Sequence, residues 1–258
     1  VRYSYLDAPV PLAFAHRGGA AAGDENTTAA FARAVALGYR YLETDVHATA
    51  DGVAVVLHDA TLTRTVGRPE AVAQLRYADL ATIRTGGEPA VPRLDDVLAA
   101  WPQVRFNIDV KADAAVGPAA AVVRAAGALP RVLLASFADA RVARLRRELG
   151  PALATAPGRR GVAALWAASR LGYGAARTAS VLAAAQVPVR VADRRFVAHA
   201  HRLGLAVHVW TVDEPATIAH FLDLGVDGIM TDHIEVLREV YAGRGLWPGP
   251  APQEGRSA

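Results

Sequence analysis

Eight short runs of β-forming residues, separated by alanine-rich stretches with helical spacing, constrain this chain more than any other feature. The β-rich runs fall at residues 12–15, 41–47, 104–110, 131–137, 152–156, 187–191, 205–212 and 227–231. Between them, residues 26–37 set Phe31, Ala34 and Val35 on one side of a helix and stop before Gly38, a C-terminal cap signal. Residues 113–128, 139–149, 195–203 and 214–224 read the same way. The last two are followed by Gly204 and Gly225, and Pro215 stands where a first helical turn tolerates proline. Strand and helix alternating eight times within 258 residues predicts an α/β fold, a (β/α)8 or TIM barrel. The rival, an open doubly wound sheet, lacks its glycine-rich first turn here.

One segment breaks the rhythm. Between Ala48 and Pro92 lie an extra apolar strand at residues 53–57 and a polar stretch with Thr61, Thr63, Thr65 and Gly67. We read 1–243 as a single barrel domain, with 48–92 inserted after the second strand on the face where active-site loops gather. Residues 244–258, rich in Gly and Pro, are expected to form a flexible tail. The absence of cysteine excludes disulfides, zinc–thiolate sites and cysteine nucleophiles. Of the 28 cationic side chains all but Lys111 are arginine, and they are interleaved with carboxylates to leave a net charge of +3. That pattern suits a small anionic ligand and predicts no nucleic-acid partner. No uncharged apolar run reaches membrane-spanning length, so no integral membrane segment is expected. Residues 1–10 hold no signal-peptide core. The expected location is cytoplasmic, although a first residue of Val leaves a removed leader open. Nothing in the sequence points to an oligomeric state.

The chemistry-bearing residues gather at strand ends. His16-Arg17-Gly18-Gly19 follows the first strand. Its glycines let backbone and ligand approach closely, and Arg17 offers a planar fork for two phosphate oxygens. Glu25-Asn26-Thr27 opens the next helix, whose first amides favour anions; a glycine turn with an ordinary helix cap would look the same. Glu43, Asp45 and His47 alternate onto one face of the second strand, and Asn107, Asp109 and Lys111 onto one face of the third. Carboxylates crowded on a buried face repel each other and are costly to desolvate. A divalent cation relieves both penalties, and oxygen ligands without thiolates suit Mg²⁺ or Ca²⁺. Pairing of the same acids with arginines is the alternative. Lys111 offers a compact point charge where a guanidinium would not fit. The run 53–57 delivers His58, so two imidazoles, His16 and His58, lie within reach of one pocket; one can take a proton while the other gives one. Trp210, near the end of the seventh strand, can form a wall for carbon atoms. His208 on its face is read as packing. His199, His201, His220 and His233 are assigned no chemistry.

These residues resemble the glycerophosphodiester phosphodiesterases. The matching stretches are His16-Arg17-Gly18, Glu25-Asn26-Thr27, Glu43-Thr44-Asp45-Val46, Asp51-Gly52, His58-Asp59 with Thr61-Leu62 and Arg64-Thr65, Asn107-Ile108-Asp109-Val110-Lys111, Ser136-Phe137, Trp210-Thr211-Val212 and Gly228-Ile229-Met230-Thr231-Asp232. They keep the family's order over nearly the whole chain. The resemblance implies a TIM barrel with a small insertion and hydrolysis of glycerophosphodiesters to glycerol 3-phosphate and an alcohol. It implies one Ca²⁺ or Mg²⁺ ion held by Glu43, Asp45 and Asp109, His16 and His58 as acid–base pair, and Arg17 and Lys111 on the phosphate. Three positions depart from the family's habit: Asp24 replaces a proline, Asp109 a glutamate and Asp213 an asparagine. Asp213 would add negative charge near the pocket mouth if it faces inward. A sphingomyelinase D-like phospholipase shares the barrel, the two histidines and an aspartate as third ligand, but typically carries disulfides. A binding barrel that holds glycerophosphate without turnover is the non-enzymatic alternative.

Overall fold

The computed structural model describes residues 3–172 and 179–247. Eight strands lie parallel in the order β8-β7-β6-β2-β1-β11-β10-β9: β1 (Leu12–Ala15), β2 (Tyr41–Ala48), β6 (Arg105–Val110), β7 (Val132–Ala135), β8 (Ala154–Thr155), β9 (Ala184–Pro188), β10 (Ala206–Trp210) and β11 (Gly228–Thr231). Among the described residues one backbone bond closes the cylinder between β8 and β9, Ala183 N–H to Thr155 O at 2.8 Å. The expected (β/α)8 barrel is therefore the observed fold.

Alternation along each strand sorts the side chains into two packing layers. Leu42, Val46, Phe106, Ile108, Val110 and Leu134 point outward under the helices. Phe14, Tyr41, Leu133, Ala184 and Met230 fill the barrel interior. Tyr5, on an N-terminal turn (Ser4–Leu6), meets the ring of Tyr41 edge-on at 5.4 Å, and Tyr41 Oη donates to Tyr5 O at 2.7 Å. This apolar floor matters for the site. The residue that plugs β2 at the bottom, Tyr41, has the same parity as Glu43 and Asp45, so both carboxylates are carried inward above it.

After β2 the chain makes its excursion. β3 (Ala54–Val56) runs antiparallel to the end of β2, pairing Val46 with Val56. A separate apolar cluster of Val55, Leu57, Leu62, Val72, Leu80 and Val91 supports it. A hairpin of β4 (Arg84–Thr85) and β5 (Glu88–Pro89) follows before the helix Leu94–Ala100.

Two local expectations need correction. The sixth barrel strand is Ala184–Pro188, three residues earlier than the valine-rich run at 187–191. Its first half, Ala-Ala-Gln, favours helix by propensity, and burial inside the barrel overrides that preference. The sequence reading places no helix at Arg159–Leu171, where the structure has one. Its N-cap, Gly158, supplies no side-chain cap; instead Asp139, the first residue of the preceding helix (Asp139–Leu149), accepts from the amides of Gly158, Arg160 and Gly161 at 3.0–3.2 Å. Residues 244–247 of the expected tail pack on the barrel: Arg244 pairs with Asp223, and Trp247 meets Tyr39 edge-on at 4.9 Å. The remainder of that tail, 248–258, lies outside the described residues. Among the described residues no helix is long and apolar enough to cross a membrane.

Candidate active site

The carboxyl ends of the strands open into a cavity of about 800 Å³. His16, Arg17, Glu43, Asp45, His58, Asp109, Lys111 and Trp210 all line it. They come from β1, β2, β6, β10 and the excursion, so five separate pieces of sequence meet there.

The loop after β1 is bent to fit. Arg17 adopts φ +52° and Gly18 φ +83°. A Cβ on Gly18 would sit 2.9 Å from both Ala30 Cβ and Phe31 Cδ1, so helix and loop touch only because the residue is glycine. The bend aims the backbone N–H of Arg17 at Glu43 Oε2 (3.0 Å). Asn26, also left-handed at φ +59°, donates from Nδ2 to Asp45 Oδ2 (2.9 Å) and accepts from Thr44 Oγ1 (2.7 Å). Asparagine tolerates that backbone better than most residues.

Each imidazole is held at Nδ1 by a carboxylate. His16 Nδ1 lies 2.6 Å from Asp232 Oδ1, and His58 Nδ1 lies 2.6 Å from Asp59 Oδ1. A carboxylate acceptor fixes the proton on Nδ1 and leaves each Nε2 for chemistry. Arg64 ties the second pair to the first loop. Its Nε donates to Asp59 Oδ2 (2.7 Å), and its two terminal nitrogens donate to Glu25 (2.6 and 2.7 Å), which also accepts from Arg17 (3.1 Å). The buried His47 adds a contact at 3.2 Å from Nε2 to the backbone carbonyl of His58.

Lys111 Nζ bridges Asp45 Oδ1 and Asp109 Oδ2, at 2.7 Å from each. The register explains the meeting, since β2 and β6 place Asp45 beside Asp109. Burial would lower the ammonium's pKa, but Asp45 and Asp109 outweigh it and raise it. Burial would likewise raise Asp45; Lys111 and Arg17 reverse that and hold it below the usual range. For Glu43 the opposing pull of His16, Lys111 and Arg17 falls short. Burial and the charge of Asp45 push its carboxyl up to about 7. For His16 burial works downward, but Glu43 and Asp232 prevail and raise it.

The residues suit a hard dication in chemistry, though not yet in arrangement. Asp109 Oδ1 is buried with no hydrogen-bond partner, and Glu43 shows that the pocket holds more anionic oxygen than its cations balance. Among the described residues no group of three or more histidine and carboxylate side chains is set to share one ion, because Lys111 stands between Asp45 and Asp109. We take the oxygen set as fitting Mg²⁺ or Ca²⁺.

Two departures resolve structurally. Asp24 accepts both terminal nitrogens of Arg33 (2.7 and 2.9 Å), anchoring the start of the helix Thr28–Ala36. Asp213 does not line the cavity. Its Oδ1 accepts from Thr231 Oγ1 and the Asp232 amide, which fixes the residue that holds His16. His208 is fully buried beneath the site, against Phe14 and Gln186. Sequence reasoning gave no role to Asp59, Arg64, Asn26 or Asp232. Asp59 was findable as the neighbour of His58. Asp232 stands 216 positions from His16, and only closure of the barrel, pairing β1 with β11, brings them together.

Comparison with known proteins gives one family. The model of the Glycerophosphoryl diester phosphodiesterase family matches residues 16–236. A protein of Mycobacterium tuberculosis named "Probable glycerophosphodiester phosphodiesterase 2" is 39% identical over 246 residues, 92% of this chain and 93% of that one. A glycerophosphodiester phosphodiesterase crystal structure from Agrobacterium tumefaciens superposes with a TM-score of 0.75 at 24% identity, covering 90% of this chain and 99% of that one. A phosphodiesterase from Oleispira antarctica, in complex with the product sn-glycerol-3-phosphate, superposes with a TM-score of 0.73 at 19% identity over 90% of this chain and 97% of the other. At those identities the two structures speak for the fold.

Proposed function

The chain belongs to the Glycerophosphoryl diester phosphodiesterase family, and from that premise we propose that it hydrolyses glycerophosphodiesters to glycerol 3-phosphate and an alcohol by acid–base catalysis between His16 and His58. The observation that carries the reading is the pair of imidazoles, each anchored through Nδ1 by its own aspartate, facing one cavity that also holds Arg17 and Lys111. Phosphodiester hydrolysis needs a hydroxyl deprotonated on one side of phosphorus and a leaving oxygen protonated on the other. Two histidines whose Nε2 atoms make no hydrogen bond, that of His16 lying 3.7 Å from Glu43 Oε2, meet that need, and their aspartates stabilise whichever imidazolium forms. Arg17 and Lys111 supply positive charge to the non-bridging oxygens as negative charge builds there. Trp210, edge-on to Phe137 at 5.7 Å, offers an apolar wall to the carbon skeleton.

Glu43, Asp45 and Asp109 would hold one Ca²⁺ or Mg²⁺ ion. When bound, that ion polarises a phosphate oxygen and neutralises charge that the protein alone leaves uncompensated. The hydroxyl that loses its proton is the glycerol 2-hydroxyl, so a cyclic phosphate forms first and water then opens it with the histidine roles reversed. A substrate lacking that hydroxyl should be turned over poorly; normal turnover would make water the direct nucleophile.

The test is release of glycerol 3-phosphate from glycerophosphoglycerol. His16→Ala and His58→Ala should each lower turnover by about 10²-fold or more, the usual scale for an acid–base group. Full activity in either removes that residue from the reaction. Chelation should abolish turnover and added Ca²⁺ or Mg²⁺ restore it; activity indifferent to chelator excludes the ion.

A further inference from the structure

The cavity is charged unevenly. On its floor Glu43, Asp45 and Asp109 lie among Arg17, Lys111 and the imidazoles. Its outer lobe has no carboxylate in the wall, yet carries two exposed guanidinium groups, Arg159 and Arg190. Among the described residues neither has a side chain as ion-pair or hydrogen-bond partner, and neither belongs to those with an interaction left unstated. Most cations near the site are paired, as Arg17, Arg64 and Lys111 are. At the start of the helix Arg159–Leu171, Asp139 directs its oxygens to three backbone amides and forms no ion pair with Arg159.

The aromatic side chains of the lobe sharpen the argument. Phe137 and Trp166 are 41% and 43% exposed, and bare faces of this kind attract quaternary and primary ammonium groups. These faces are already taken. The Arg159 guanidinium lies 4.9 Å from the Phe137 centroid, Lys111 Nζ lies 5.6 Å from the same ring, and Arg170, itself paired with Asp193 outside the cavity wall, lies 4.7 Å from the Trp166 centroid. A choline or ethanolamine group entering the lobe would meet rings that carry a cation and two guanidiniums that no carboxylate pairs among the described residues. An anion would meet two open forks.

We propose that the outer lobe selects glycerophosphodiesters whose alcohol bears a second anionic group, a carboxylate or a phosphate, over those whose alcohol bears an ammonium. The selection rests on the phosphodiesterase reading above and deepens it. The glycerol 2-hydroxyl bonds to phosphorus as the bond from phosphorus to the alcohol oxygen breaks, that oxygen leaves protonated with its anionic group unchanged, and water then opens the cyclic phosphate to glycerol 3-phosphate. Arg159 and Arg190 determine specificity through binding and touch no reacting atom.

A matched series tests this: the 2-carboxyethyl, 2-aminoethyl and neutral 2-hydroxyethyl esters of glycerol 3-phosphate, assayed with added Ca²⁺ or Mg²⁺. Two exposed charge pairs are each worth roughly threefold, so KM for the carboxyethyl ester should be about tenfold below that for the aminoethyl ester, with kcat alike. The gap should narrow as salt is raised. The double variant Arg159→Gln/Arg190→Gln should lose the preference and keep wild-type kinetics on the hydroxyethyl ester. An aminoethyl ester used as well as the carboxyethyl ester, or a preference that survives in the double variant, overturns the proposal. The hydroxyethyl ester judges the activity alone. Should none of the three be hydrolysed, calorimetric titration of the carboxyethyl and aminoethyl esters still decides the lobe: tighter carboxyethyl binding, lost in the double variant, supports it, and equal affinity sinks it.

Discussion

Lys111 is the one lysine in a chain that otherwise draws every cation from arginine, and its ammonium fills the gap between Asp45 and Asp109. Two contacts of 2.7 Å to different carboxylates suit a compact, tetrahedral head; a planar guanidinium would need both oxygens in its own plane. Lys111→Arg is therefore expected to cut kcat by at least about tenfold, and wild-type kinetics in that variant would show that any cation serves. Asp232 acts one bond further out, through the imidazole of His16. Asp232→Asn should lower kcat by about 10- to 10²-fold with KM little changed, because a mis-set tautomer removes the base and leaves substrate binding intact. Arg64 is a positioning residue for both loops. Arg64→Gln should lower kcat and Arg64→Lys recover only part of it, since lysine cannot grip Asp59 and Glu25 at once; full recovery by lysine would reduce the role to charge. At this scale the sequence discloses residues whose partners are two apart on a strand, such as Asp109 with Lys111, and leaves Asp59 findable beside His58 though unread. It hides Asp232 and Glu25, whose partners depend on barrel closure and on a loop folding back.

At the scale of elements, β10 and β11 approach too closely beneath the site to admit a side chain at Gly228. Gly228 pairs with His208 across the two strands, and a Cβ there would come within 2.7 Å of the Phe14 ring and 2.9 Å of the His208 ring. Gly228→Ala should cost about 1–3 kcal/mol, read as a lower denaturant midpoint with unchanged slope; an unchanged midpoint would mean that both rings can move aside. His208 itself is held neutral. Burial depresses its pKa to about 4, only weakly opposed by Asp227. The unfolded chain takes up this proton near pH 6.5 and the folded chain near pH 4, so the unfolded state binds more protons between those values. Stability linked to His208 is thus complete above pH 6.5 and drains away as the pH falls toward 4, by an amount on the order of 3 kcal/mol. Urea titrations of wild type and His208→Gln should diverge in slope across that window; parallel curves would show that His208 protonates without consequence. Strand positions are legible where β-branched residues meet turn residues, as in β2 and β11. They were not where alanine, a helix former in isolation, is buried in β9, nor where a helix is capped by a distant residue, as Arg159–Leu171 is by Asp139.

For the molecule as a whole, the barrel turns short-range alternation into long-range convergence. Parity along β2 and β6 sends Phe106, Ile108 and Leu42 to the helices and Glu43, Asp45, Asn107 and Asp109 to the mouth. The excursion after β2 adds the second imidazole. The cost is a pocket in which Glu43 is pushed up to about 7 and Asp109 Oδ1 goes unpartnered. Such a pocket is retained because it serves chemistry at a phosphate, and the account stands or falls on that chemistry. Its most direct test is a phosphorus NMR time course of glycerophosphoglycerol hydrolysis in ¹⁸O-water with Ca²⁺ or Mg²⁺ supplied. The account predicts that the diester resonance gives way to glycerol 3-phosphate carrying one ¹⁸O on phosphorus, and that His16→Ala stops the conversion. A diester resonance that persists, or label that appears in the released alcohol instead of the phosphate, would contradict it.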